Sequence, residues 1–210
     1  MSDLQHIGFH VPNDSTIRGN REAPSPGPVA HALRSGGYNY RMHDPEELVQ
    51  PQPERWALST RKEYRDALAR LIGLAQRELR IFDPDFSDLE INSPQTYELL
   101  RAFMLRARNN RLYIVVHDTG YIRNYCPRLL NLLRQFSDRM FIHQTQGEAA
   151  SAQDSLVLAD NLHFVRRPVQ AQPRATLRLN DDRESQGMHL RFSEIWDNSF
   201  PAVSATTIGL

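Results

Sequence analysis

Lysine is all but missing from this chain: of 25 basic residues one, Lys62, is a lysine, and the other 24 are arginines. The bias fits genomic base composition, yet it means that any mechanism requiring a lysine must use Lys62. Cysteine is equally scarce. With Cys126 alone, an internal disulfide framework is excluded, which fits a reducing compartment. Net charge is absent too: 25 basic residues balance 25 acidic ones and the pI is near 7.1, so no global field draws the chain to nucleic acid or anionic lipid. Any basic site must be local. No apolar run reaches the roughly 18 residues of a membrane span. The start, Met-Ser-Asp-Leu-Gln-His, has neither the basic end nor the apolar core of a signal peptide, so the expected location is the cytoplasm. Metal-ligand spacing is lacking as well. Cys126 has no nearby histidine and His189 stands alone on a helix, so neither a metal nor another cofactor is expected.

What is present suffices for one domain. A chain of 210 residues with 40% hydrophobic residues can bury one core of about 150 residues and leave a tail. Residues 1–55 hold 7 of the 13 prolines and 5 of the 10 glycines, and neither a period of 2 nor one of 3.6 persists through them. They are predicted to form a poorly ordered arm, with one helical turn at Ala30–Arg34 and with Tyr38, Tyr40 and Met42 available for docking. An α/β domain is expected over 56–203 and a short tail over 204–210.

Within the domain the pattern alternates. Thr60 and Glu63 have capping-box spacing, and Tyr64, Leu68, Leu71, Ile72, Ala75 and Leu79 share one helical face, which predicts a helix over 60–78. Leu79–Phe82 reads as a strand that stops at Asp83-Pro84-Asp85. Ser93-Pro94 is an N-cap followed by proline at the first helical position, opening a second helix to about Arg108. Leu112–Val116 is an apolar run expected for a strand covered on both sides. A third helix follows Gly120, with Leu129, Leu130, Leu132, Leu133 and Phe136, and then a strand, Met140–His143. Arg174–Leu179 alternates as an edge strand does. The last helix, about Gln186–Ser199, carries Leu190, Phe192, Ile195 and Trp196, with Phe200 pinning its end. This order predicts a three-layer α/β sandwich: a mostly parallel central sheet flanked by helices.

The stretch Asp154–Arg167 is the centre of the reading. Two apolar runs flank Asp160-Asn161, a dipeptide suited to a tight turn, so it is predicted to be a hairpin. His117-Asp118 ends the strongest strand and His143 ends the next, where an open parallel sheet places its ligand crevice. Together with His163, Arg166 and Arg167 they would offer imidazoles for proton transfer and a guanidinium pair for phosphate. Blander roles are open to each: a helix cap for Asp118, a surface position for His143, a solvated strand end for Arg166-Arg167. Cys126 before Pro127 reads as a packing residue.

These elements resemble one half of a phospholipase D-like domain. The likeness covers 58–203: the opening helix, the strand ending at Asp83-Pro84, Arg108-Asn109-Asn110-Arg111 leading into Leu112–Val116, the strand to His143, the hairpin, and Phe192, Trp196 and Ser199 spaced as Phe-x-x-x-Trp-x-x-Ser. It is nearest to a sub-group of short bacterial domains of unknown function, some of which lie behind an acetyltransferase domain. Active members carry His-x-Lys-x-x-x-x-Asp on the strand entering the hairpin. With Asp160 in the aspartate position, that spacing puts Gln153 at the histidine and Ser155 at the lysine, while Val165, Arg166 and Arg167 replace the small residues that follow. An amide and a hydroxyl supply neither the nucleophile nor the clamp, so the resemblance implies a catalytically silent domain that binds a phosphorylated ligand, a nucleic-acid backbone or a protein partner. Family members with one motif per chain pair, which implies a homodimer. The competing expectation is a hydrolase or phosphodiesterase built on His117, His143 or His163.

Overall fold

The computed structural model describes residues 51–204, so the N-terminal arm, apart from its last five residues, and the C-terminal tail beyond 204 lie outside the described residues. Thr60 and Glu63 act as their spacing predicts. The Glu63 amide donates to Thr60 Oγ1 and the Thr60 amide to the Glu63 carboxylate, both at 3.1 Å, which closes the capping box of helix α1, Arg61–Leu74. Tyr64, Leu68, Leu71 and Ile72 are buried on its inner face. The helix stops a turn short of the predicted 78, because the next amides, of Gln76, Arg77 and Glu78, are taken by the distant carboxylate of Asp160.

Ser93 and Pro94 open helix α2, Pro94–Arg106, with Ser93 Oγ accepting the Thr96 amide. The single helix predicted after Gly120 is two, α3 (Gly120–Tyr125) and α4 (Pro127–Gln135). Pro127 cannot donate into a continuing helix but suits the first position of a new one, so the break falls at Cys126. Helix α5, Asp182–Asp197, begins earlier than the predicted Gln186 because Asp181 Oδ1 caps the Glu184 amide.

Eight strands form one sheet: β1 (Glu54–Leu58), β2 (Glu78–Phe82), β3 (Arg111–Val116), β4 (Met140–Thr145), β5 (Ser155–Ala159), β6 (His163–Arg167), β7 (Ala175–Leu179) and β8 (Ser199–Val203). Their order is β1-β7-β6-β5-β2-β3-β4-β8. The expectation of a mostly parallel sheet is corrected here. Only β2–β3 and β3–β4 are parallel; the other five pairings are antiparallel, because the hairpin β5–β6 folds back beside β2 rather than crossing over. Alternation hid this: of the strands joined by helices, only β2 with β3 and β3 with β4 end up as neighbours in the sheet. β7 is not the predicted edge, since β1 pairs along it, and β8 caps the other side through residues assigned to a helix end. Phe200 accordingly lies in β8, 41% exposed, and pins nothing.

The pleat divides the core in two. Leu79, Ile81, Leu112, Ile114 and Val157 face α1, α2 and α4, whereas Phe82, Val115, Leu156, Leu158 and Phe164 face Phe192 and Ile195 of α5. The parallel strands β2, β3 and β4 end at Phe82, Val116 and Thr145, so that Asp83, His117 and Gln146 follow them directly. Antiparallel β5 begins beside them, with Leu156 opposite Phe82.

Candidate functional site

Register brings Asp83, Ser155 and Arg167 together. Ser155 lies opposite Arg167 in the β5–β6 pairing, and both adjoin the end of β2. Asp83 Oδ2 accepts from the Ser155 hydroxyl and, at 3.3 Å, from Arg167 Nη2, while its Oδ1 accepts the Phe86 amide at 2.9 Å. Arg167 Nη1 reaches Asp88 at 3.3 Å, and its guanidinium lies 4.6 Å from the Tyr64 ring centroid. Arg167, Asp83 and Ser155 are 0% exposed. Burial pushes the Asp83 carboxyl up, opposed by the Ser155 hydroxyl, the Phe86 amide and Arg167. Two buried polar atoms in this knot, Tyr64 Oη and Arg167 Nε, have no hydrogen-bond partner among the described residues. Phe86 holds a φ of 67°, costly for an aromatic residue, where its ring is fully buried and its amide is bound by Asp83.

His117 is tied at both ring nitrogens. Nε2 lies 2.6 Å from the Ala152 carbonyl, which can only accept, so Nε2 carries the hydrogen and Nδ1 accepts the Thr145 hydroxyl at 2.7 Å. Neither nitrogen has a free lone pair for attack. The ring borders a cleft of about 380 Å³ with Pro84, Gln153, Val169 and Gln170. Asp118 lies one residue before the N-cap, Thr119, of α3, and its Oδ1 accepts the Gly120 amide at 2.9 Å in a turn that leads into that helix. His143 belongs elsewhere: Ser199 donates to the Trp196 carbonyl, so His143 Nδ1 donates to Ser199, and the ring stacks on Trp196 at 3.8 Å. His163 Nδ1 accepts the Asn180 amide at 3.0 Å.

The expected convergence of these imidazoles is therefore corrected. His163 sits level with Leu79 at the start of β2, and His117 follows the end of β3. Five residue steps along the strands separate the two levels, roughly 16 Å at the usual rise. Asp160 does not join Gln153 and Ser155 either. It stands at the far end of the hairpin with a φ of 51°, where its carboxylate binds the amides of Gln76, Arg77 and Glu78 at 2.7–2.9 Å. The turn residue was rightly placed; its role as the anchor of the α1–β2 connection was not legible locally.

The guanidinium pair does not form, because neighbours on a strand point to opposite faces. Arg167 goes under α1. Arg166 meets Asp154 at 3.3 Å, and Arg191 of α5 reaches the other oxygen of that carboxylate at 3.2 Å. These three line a cleft of about 570 Å³ with Glu148, Gln153 and Glu194. Its two arginines face three carboxylates, an excess of one negative charge that disfavours phosphate. Asp83, Asp88, Tyr64 and Arg191, which complete these networks, were missed as site residues. Asp83 alone carried a signal, as the polar residue ending a strand.

Among proteins of curated function none matches. Solved structures do. A phospholipase D family member, Nuc from Salmonella typhimurium, superposes with a TM-score of 0.55 over 73% of this chain and 100% of its own, at 14% identity. TrmBL2, an archaeal chromatin protein whose structure shows a novel mode of DNA binding, gives 0.54 over 70% of this chain and 54% of its own, at 10% identity. Both likenesses concern the fold, which is the phospholipase D-like one anticipated from the element order. A family model described as a domain of unknown function, DUF7931, matches residues 60–205, the whole of the folded part from its capping box onward, and the chain belongs to that family.

Proposed function

We propose that this domain keeps the phospholipase D-like backbone without its hydrolytic chemistry and works by binding. The observation that carries the reading is the fully buried Arg167, bonded to Asp83 and to Ser155, the residue at the spacing of the family's lysine. A cation held by two carboxylates and closed off from solvent cannot neutralise a bound phosphate. Gln153 supplies no nucleophile, and His117, the imidazole beside it in the cleft, has both nitrogens engaged. The rival hydrolase reading needs two imidazoles at one phosphate-sized site, which these positions do not supply.

The test is hydrolysis of bis(p-nitrophenyl) phosphate and of a labelled oligonucleotide by the purified chain. Rates should equal the buffer background and stay there in His117→Ala. Turnover above background that disappears in His117→Ala would end the silent reading.

A further inference from the structure

The edge of the sheet opposite the Asp83 knot carries a concentration of arginines that the chain's zero net charge conceals. Backbone pairing gathers them: the Arg111 amide donates to the Arg77 carbonyl at 2.9 Å and the Leu112 amide to the Arg139 carbonyl at 3.0 Å, so Arg77, Arg111 and Arg139 stand side by side where β2, β3 and β4 begin. The end of α2 adds two more. Arg106 Nη1 donates to the Ala75 carbonyl at 2.5 Å, and Arg139 Nη1 to the Ala107 carbonyl at 2.7 Å, which places Arg108 next to the same row. Arg77, Arg106 and Arg108 are exposed, and Arg77, Arg108 and Arg111 make no ion pair among the described residues.

The acidic groups on this part of the edge do not cancel the row. Glu78 is paired with Arg80, Asp160 is bound to three amides, and Asp138 lies 3.9 Å from Arg139. Five arginines against Asp160 and Asp138 leave an excess of three positive charges. A groove of about 430 Å³, lined by Gln76, Arg77, Glu78, Asp160, Asn161 and Leu162, adjoins the row at Arg77; with two carboxylates to one arginine it adds no positive charge, so the phosphate contacts fall on the row itself.

We infer that this arginine edge binds the phosphodiester backbone of nucleic acid. The guanidinium fork matches phosphate oxygens two at a time, and Arg106, spending one donor on a carbonyl, keeps others; Arg139, largely buried over the Phe136 ring, adds charge to the row rather than a direct contact. Three adjacent strand starts span roughly 10 Å, the length of about three phosphates of one strand at 3.4 Å each. A lipid surface fits less well, since the large exposed apolar side chains beside the row are the isolated Leu105 and Leu162. The row holds no aromatic platform for bases, so contacts go to phosphates and binding is independent of sequence. The inference rests on the binding half of the proposed function and not on the silence of the former catalytic end.

Fluorescence anisotropy with labelled duplex and single-stranded oligonucleotides of mixed sequence tests it. The wild-type chain should bind both, with affinity falling linearly in log salt. The triple variant Arg77→Ala/Arg108→Ala/Arg111→Ala should lower the duplex salt slope by about 2–3 and weaken binding at least about tenfold at low salt. Arg65→Ala/Arg70→Ala/Arg101→Ala removes the same charge from arginines already paired with Glu90, Glu54 and Glu98, and should bind as wild type. Thermal melts of both variants confirm the fold. The inference is overturned by no binding at low salt, by equal losses in the two triples, or by binding confined to phosphatidylserine vesicles. Any of these leaves the silent reading standing, whereas diester hydrolysis with an intact response to the first triple would sink only the silent reading.

Discussion

Arg167 shows how one charged residue can be held in a dry interior. Its guanidinium is desolvated, and its partners in the interior are Asp83 at 3.3 Å, Asp88 at 3.3 Å and the Tyr64 face. Truncation would strand the Asp83 carboxylate in a dry interior. Arg167→Ala should therefore cost about 3–5 kcal/mol in urea unfolding, and Arg167→Ala combined with Asp83→Ala clearly less than the sum of the two single losses. A loss under about 1 kcal/mol would mean that water already reaches the pair. Sequence inspection singled out Arg166-Arg167 as a pair but not their divergence, although the strand's period of two implies it. What it lacked was the partner of each: Asp83 is 84 residues from Arg167, and Arg191 is 37 from Asp154.

At the scale of elements, helices were legible wherever their starts are written locally. Thr60 with Glu63 and Ser93 with Pro94 mark α1 and α2 because a cap is satisfied within four residues. Ends were not, since the end of α1 is set by Asp160 across the sheet. Helix α5 makes the point quantitatively. It carries Leu190 with Phe192, Ile195 and Trp196, yet Leu190 is 64% exposed whereas Phe192 is 1% exposed. Phe192→Ala should cost about 3–5 kcal/mol and Leu190→Ala less than about 0.5 kcal/mol in the same unfolding assay. Comparable losses would place Leu190 in an interface. Strands joined by hairpins misled most, because alternation of helix and strand describes β2, β3 and β4 but not the five antiparallel pairings around them.

For the whole molecule, one buried and two partly buried histidines contribute to the response to acid. Burial lowers His143, His163 and His189 below the ordinary value of 6.5. Between the folded and unfolded values the unfolded chain binds more protons, so their contribution is complete above pH 6.5 and is lost as pH falls through the folded values. His189 Nε2 donates to the Asp160 carbonyl, tying α5 to the hairpin turn. The melting temperature should thus decline as pH drops from about 7 to about 5.5, and the double variant His163→Asn/His189→Gln should flatten that decline. An unchanged slope would show that these imidazoles titrate alike in both states.

Composition and local pattern determined that the described residues build an α/β fold, where two of its helices begin, that its hairpin turns at Asp160, and that an amide and a hydroxyl stand at positions 153 and 155, where the spacing of the resembled family has a histidine and a lysine. Those properties depend on neighbours within a few residues. Tertiary structure alone decided the mixed sheet, the burial of Arg167 between Asp83 and Asp88, the scattering of three histidines, and the row of arginines at the strand starts. Each of these depends on which distant segments lie side by side, and strand register, which no single segment contains, decides that.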